Sequence, residues 1–242
     1  MTDTFRDVQP TQFLFKEPVK NSKGGMNAYI DTSKTNRRCP RFQLSEKMRV
    51  PFGIRASTLD GDGSDNPRKN MEVSVDDEDL QAFIRNLDTL VVDVAAKNSK
   101  SWFKKSLTAE ALAATLYRPT AVPDASGRFA PLLRLKVNGP GSKRPTRIFV
   151  ATPRDDGGIE YKQGTIDDCP PQSHVTPIVE LGGMWFVSKG FGLAINCTDL
   201  LVYPAERPQA AFPFVVSDPV VGNPSAPDAA PHGAEDGLPD AM

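Results

Sequence analysis

Histidine and cysteine are scarce in this chain, which has 2 and 3 of them among 242 residues. The cysteines, Cys39, Cys169 and Cys197, are odd in number and far apart. A disulfide framework is therefore not expected, and they read as free thiols in a reduced interior. No CxxC or HExxH pair is present. That argues against a structural zinc finger or a zinc protease, and no metal or other cofactor is expected. Walker, Rossmann and GxSxG fingerprints are missing too, so the chain does not read as an enzyme. His174 is too isolated for a triad. Asp167 and Asp168 precede Cys169-Pro170-Pro171, the setting of a loop rather than of a catalytic pair. No apolar run reaches 18 residues, so no membrane span or membrane partner is expected. The charged first 20 residues lack the apolar core of a secretory signal, and an intracellular protein is expected.

Charge is nearly balanced overall, at a formal -1, which excludes a histone-like polycation. Its distribution is uneven. Residues 1–60 carry 11 basic and 6 acidic groups, whereas residues 211–242 carry 5 acidic groups and no Lys or Arg. A basic front with an acidic end suits a polyanion-binding body with an acidic tail. Eight prolines fall from Pro204 to Pro239, joined by Ala, Gly and Ser. Residues 211–242 are expected to form a disordered tail, leaving 1–210 as one folded domain.

The body reads mostly as strands. Short apolar or alternating runs occur at 12–16, 26–30, 42–44, 48–54, 129–137 and 147–151. The most hydrophobic stretches, 175–181 and 184–203, are punctuated by Gly182-Gly183 and Lys189-Gly190. The segment LDGDGSDNPRKN reads as an exposed loop. Its aspartates lack a closing Glu, since Met71 stands at that place, so a calcium loop is not expected. One helical insertion is expected over about 72–118. Asp76, Asp77, Glu78 and Asp79 suit a helix N-terminus, and Leu80, Phe83, Ile84 and Leu87 recur at helical spacing. A second helix is expected after Thr108, ending before Pro119. Short strands around one helical insertion predict a mainly β chain built as a small Greek-key barrel.

Single-strand nucleic-acid binders place flat rings beside a cationic groove. Trp102-Phe103-Lys104-Lys105 holds both residue types, as do Trp185, Phe186, Lys189 and Phe191. Strand alternation puts Trp185 and Phe186 on opposite faces, so only one of them belongs to the core. Arg134 and Lys136 share a strand face, and Lys143, Arg144 and Arg147 follow. These thirteen residues form the candidate nucleic-acid site.

The segment 175-VTPIVELGGMWFVSKGFGLAINCTDLLVYP-204, with 24-GGMNAYI-30, 50-VPFGI-54, 98-NSKSWFKK-105 and 131-PLLRLKV-137, resembles viral single-stranded-DNA-binding proteins. The likeness is to those of large eukaryotic DNA viruses and, more distantly, to short-tailed phage replication proteins. It implies an OB fold that coats single-stranded DNA in replication, recombination or repair. It also implies a nuclear or cytoplasmic viral replication site, a possible homo-oligomer, and an acidic tail that recruits replication proteins and competes with DNA. The tail departs from that pattern, having few acids and ending in Met242 rather than an aromatic residue. Two other readings remain. One is a structural or virion scaffold protein that buries Trp102 and Trp185 in subunit contacts. The other is a replication or transcription adaptor that binds only protein.

Overall fold

The computed structural model describes residues 2–21, 25–32, 39–56, 69–154 and 156–203. The expected tail at 211–242 and most of the expected loop before Lys69 lie outside them. In chain order the first strands are β1 (Phe13–Phe15), β2 (Val19–Lys20), β3 (Met26–Ala28), β4 (Ile30–Thr32), β5 (Arg41–Gln43), β6 (Met48–Val50), β7 (Ile54–Ala56) and β8 (Lys69–Ser74). Helices α1 (Glu78–Lys97), α2 (Ser99–Trp102) and α3 (Ala109–Thr115) follow. The chain then returns to β9 (Tyr117–Arg118), β10 (Ala121–Val122), β11 (Leu132–Val137), β12 (Arg147–Pro153), β13 (Ile159–Gly164), β14 (Ser173–Val187) and β15 (Gly190–Tyr203).

The expected mainly β architecture with a helical insertion is present. β8 pairs antiparallel with β11, and β11 runs parallel to β15 at Lys136↔Asn196. β15 pairs antiparallel with β14 along nearly its whole length, and β14 pairs antiparallel with β5 and β6. β6 lies against β8 and completes the circuit. Counting β5 and β6 as one interrupted strand, this is a five-membered barrel whose single parallel contact needs a crossover, the OB-like Greek-key arrangement. The long hairpin β12–β13 leaves the barrel between β11 and β14, with β12 parallel to β15.

Period-two alternation fills the barrel. Met71 and Val73 of β8, Leu133, Leu135 and Val137 of β11, Val175, Val179 and Leu181 of β14, and Ile195, Cys197, Leu200 and Val202 of β15 all point inward. Asp77 caps α1 by accepting hydrogen bonds from the backbone N–H groups of Asp79 and Leu80, as the acidic run predicts. Leu80, Ile84 and Leu87 close one end of the barrel with Phe5 and Phe13. Each such fully buried aliphatic side chain contributes about 1.5–3 kcal/mol. The next turns of α1 bring Val91, Val92 and Ala95 to a second core with Leu112, Tyr117, Met184 and Phe191. The barrel and the helices are thus joined by one helix that serves both cores.

β13 has no counterpart among the expected strands, and two further features depart from the sequence expectation. Lys69 and Asn70 belong to β8 rather than to a loop, because their neighbours Met71 and Val73 are fully buried and carry the strand back toward them. Gly182-Gly183, expected as a break between two strands, lies inside one strand as a bulge against β15. Gly183 has φ +109°, and a Cβ there would stand 2.4 Å from the Ala28 carbonyl oxygen. The extra residue inverts the alternation of β14. Leu181 faces the barrel core, yet Met184 and Phe186 continue the inner side.

Gly183→Ala is therefore expected to destabilise the fold by more than about 2 kcal/mol, the sum of a disfavoured backbone and an overpacked contact. Gly127 also has positive φ but nothing within 4 Å of its missing Cβ, and Gly127→Ala should cost only about 1–2 kcal/mol. Denaturant melts of the two variants would check the difference; equal losses would remove the special role of the bulge.

Candidate nucleic-acid interface

The solvent side of the barrel wall carries a continuous polar row. Strand register sets Arg41 of β5 beside Glu180 of β14, Glu180 beside Asn196 of β15, Asn196 beside Lys136 of β11, Lys136 beside Asn70 of β8, and Asn70 beside Arg55 of β7. Paired residues in a sheet share a face, so these six side chains line one face across six strands. One step along, Arg134 is paired to Glu72, with its Nη2 and Nε at 2.7 and 3.1 Å from Oε1. Arg55 stacks over the half-exposed ring of Phe52 at 4.7 Å. Arg134 and Lys136, expected to share a strand face, do so and are both exposed.

A second register break sets the electrostatics of this face. Thr198 is an extra residue in β15 between Val179↔Cys197 and Ile178↔Asp199. Beyond it Leu200 and Val202 point inward, and Asp199 and Leu201 turn outward. Asp199 is 6% exposed and receives Arg41 at 2.6 Å, Thr198 at 2.8 Å and Arg147 in an ion pair. Burial alone would raise its pKa. The hydrogen bonds from Arg41 and Thr198 and the charges of Arg147 and Arg41 outweigh that and hold the carboxyl below its ordinary range. One carboxylate thus orients two guanidiniums; Arg41 also donates its Nε–H to Thr198 at 3.2 Å, while the Arg147 side chain stays largely exposed. Arg144 lies 3.9 Å from Glu180, a surface pair of little energetic weight. Lys143 beside it is exposed.

Rings lie at both ends of this cationic stretch. Trp185 points outward because of the Gly183 bulge and lies over Gly192, where a Cβ would meet its Cζ2 at 2.9 Å. Its indole N–H donates to the Leu193 carbonyl at 3.2 Å, leaving the ring half-buried. Asn27 flanks it on β3 and Arg118 stands beyond Gly192 on β9. At the other end, Phe149 is paired with Leu201 and follows Arg147 on the same outward side of β12. Tyr161 and Ile159 of β13 share that side. Phe149, Ile159 and Tyr161 are 38%, 50% and 59% exposed.

The remaining expected site residues form a different group. Trp102, Phe103, Phe186 and Phe191 pack together on the inner, helical side of the ribbon, with centroids 5.3–5.8 Å apart. Phe191 is fully buried and its ring touches Phe103, Tyr117 and Phe186, so a base has no access to it. This corrects its reading as a stacking ring: its place in β15 aims it at the second core. Trp102 and Phe103 are half-buried, and the Trp102 N–H donates to Glu17 at 2.9 Å. Lys104 and Lys105 are exposed beside them, Lys104 with φ 59° in a left-handed turn. Lys189 is exposed in the β14–β15 turn, where its carbonyl accepts from Arg118. The expected residues therefore divide between two faces, and Trp102 does not join Trp185. Arg41, Arg55, Arg118, Phe149 and Tyr161 are additions from the structure. Alternation in 159-IEYKQG-164 was the one available sequence signal for Tyr161.

No family model matches the sequence, and no curated protein matches it. Among solved structures, it is similar to gp2.5, a single-stranded DNA binding protein encoded by bacteriophage T7. That match has 8% identity and a TM-score of 0.44, over 69% of this chain and 87% of that one. It is also similar to the single-stranded DNA-binding protein from bacteriophage Enc34, with 11% identity and a TM-score of 0.38, over 85% of this chain and 98% of that one. Likeness this shallow assigns neither a family nor a ligand, and the OB-like reading rests on the strand circuit itself. The expected kinship with large eukaryotic DNA viruses rests on sequence motifs alone. Among the described residues, no helix is long and apolar enough to cross a membrane.

Asp199→Asn is expected to cost about 1–3 kcal/mol at neutral pH by leaving two arginines without their carboxylate. The folded pKa of Asp199 is depressed, so its contribution is complete above the unfolded value, near 3.9, and is lost as pH falls through the folded value. The stability gap between wild type and variant should be flat from about pH 5 to 8 and close on acidification below about pH 4. Urea melts across that range would show it; a gap that widens in acid would contradict the assigned charge state.

Proposed function

We propose that the outward face of β15 and its neighbours binds single-stranded DNA without catalysing a reaction on it. The observation that carries this reading is the row from Arg41 to Arg55, joined to the Arg41–Asp199–Arg147 cluster and ending in Trp185 on one side and Phe149 with Tyr161 on the other. Guanidinium and ammonium groups at this spacing suit a phosphate chain, and each exposed ring offers one stacking surface. β15 spans 14 residues, roughly 45 Å at about 3.3 Å per residue. OB folds cover about 4–16 nucleotides over such lengths. A duplex hides its base faces, so the rings favour an unpaired strand, and stacking tolerates any sequence. Coating and protecting single strands during replication, recombination or repair is the role this chemistry supports. It stands beside the expected phage or other viral setting as part of the same proposal.

Fluorescence with the two tryptophans separated tests the face directly. In Trp102→Phe, oligo-dT should quench the remaining Trp185 emission, and added salt should reverse the effect as counterions return to the strand. In Trp185→Phe, the remaining Trp102 should respond little. Trp185→Ala should weaken binding by about 5- to 150-fold, the equivalent of about 1–3 kcal/mol for one lost stack. Equal weak binding of oligo-dT and the matching duplex, abolished at moderate salt, would defeat the proposal.

Lys104 and Lys105 provide the internal comparison. Replacing both with Ala should change affinity less than about threefold, whereas Arg41→Ala with Lys136→Ala should lower both affinity and the salt slope. The reverse ranking would move the site to the helical face.

A further inference from the structure

β13 is an open sheet edge. Among the described residues it pairs with β12 alone, and Ile159 through Gln163 are all exposed. Such an edge presents a row of unpaired N–H and C=O groups, a template for another strand. The sequence on this edge is complementary to itself. Ile159, Tyr161 and Gln163 take one face, and Glu160 and Lys162 take the other. In an antiparallel pair centred on Tyr161, Glu160 of each copy stands opposite Lys162 of the other, and the two Tyr161 rings lie side by side. A slip of two residues would set lysine against lysine or glutamate against glutamate. A slip of one would send every side chain to the wrong face.

We propose that two copies of this chain associate along β13 as an antiparallel, two-fold pair centred on Tyr161. The charge pattern selects both the occupant and the register. Within one chain Lys162 Nζ stands 3.0 Å from Glu160 Oε2, with both side chains about half exposed or more, a pair of small net value. Pairing exchanges that neighbour for the same partner type across the two-fold. It also covers part of the exposed Ile159 and Tyr161 rather than leaving them in water. The interface is isologous and closes on itself, so it gives dimers and not fibres. Its short strand makes the association concentration-dependent. Through it, the outward faces holding Phe149 and Tyr161 become one surface across two copies.

Sedimentation velocity of the full chain without DNA, over a wide concentration range, tests this. Wild type should show a monomer–dimer equilibrium. Lys162→Glu should weaken it at least about tenfold through like charges brought face to face. The double swap E160K/K162E should restore it to within about threefold of wild type. Both side chains are exposed, and unchanged circular dichroism would confirm that each variant folds. Absence of wild-type association overturns the proposal, as does a dimer indifferent to the swaps. Dimers that form only after residues 207–242 are removed would show that the chain's own end takes the edge, and would overturn it equally. The measurement contains no DNA, so its failure leaves the DNA-binding proposal standing, and failure of the oligo-dT titration leaves this one standing.

Discussion

Strand alternation in the β14–β15 ribbon is the constraint on which both cores and the candidate interface depend. Side chains in a strand change face at every residue, so one extra residue reverses everything beyond it. The ribbon uses this twice. At Gly183 the reversal sends Met184 and Phe186 to the helical core and turns Trp185 outward. At Thr198 it keeps Leu200 and Val202 in the barrel while Asp199 and Leu201 face out. Without the first break, the inward parity of Val179 and Leu181 would reach Trp185, and the outward ring would be Phe186.

The same geometry organises charge. A nearly buried carboxylate facing solvent with no partner would be costly, and Asp199 avoids this by holding Arg41 from β5 and Arg147 from β12. Those strands flank the ribbon on different sides, so the ion cluster also ties the barrel wall to the β12–β13 hairpin. A guanidinium has five N–H donors and Asp199 uses few of them, and the Arg147 side chain remains largely exposed. The cluster is thus both a structural clasp and an arrangement of cations suited to a polyanion. The Trp102 group differs in kind: its rings spend their faces on one another and on α1, α3 and β9.

Much of the fold was legible from residue pattern. Alternating β11, the acidic start of α1, the start of α3 after Thr108 and the turn at Lys189-Gly190 all follow from local chemistry. So does the opposition of Trp185 and Phe186, although not which of the two faces inward. β13 escaped notice because its side chains are all exposed and its alternation defines no core face. Tyr161 went with it, whereas Phe149 lies on β12, a strand the sequence did show, and only its register with β15 puts the ring on the outward face. Gly182-Gly183 looks the same in sequence whether it ends a strand or bulges one, since glycine permits both. Trp102-Phe103-Lys104-Lys105 matched the composition of a binding surface, but composition does not register that Phe186 and Phe191 arrive from another strand to cover the rings.

By itself, the amino-acid order determined the elements: which runs are strands, where the helices start, and that cations and rings are plentiful enough to meet a polyanion. Those properties depend on neighbours within a few residues. Only the tertiary structure decided that Arg41, Lys136, Arg147 and Trp185 share a face while Trp102 and Phe191 do not. That outcome depends on cross-strand register and on two single-residue bulges, and both are fixed by contacts between distant segments, such as Arg41 and Asp199, 158 residues apart.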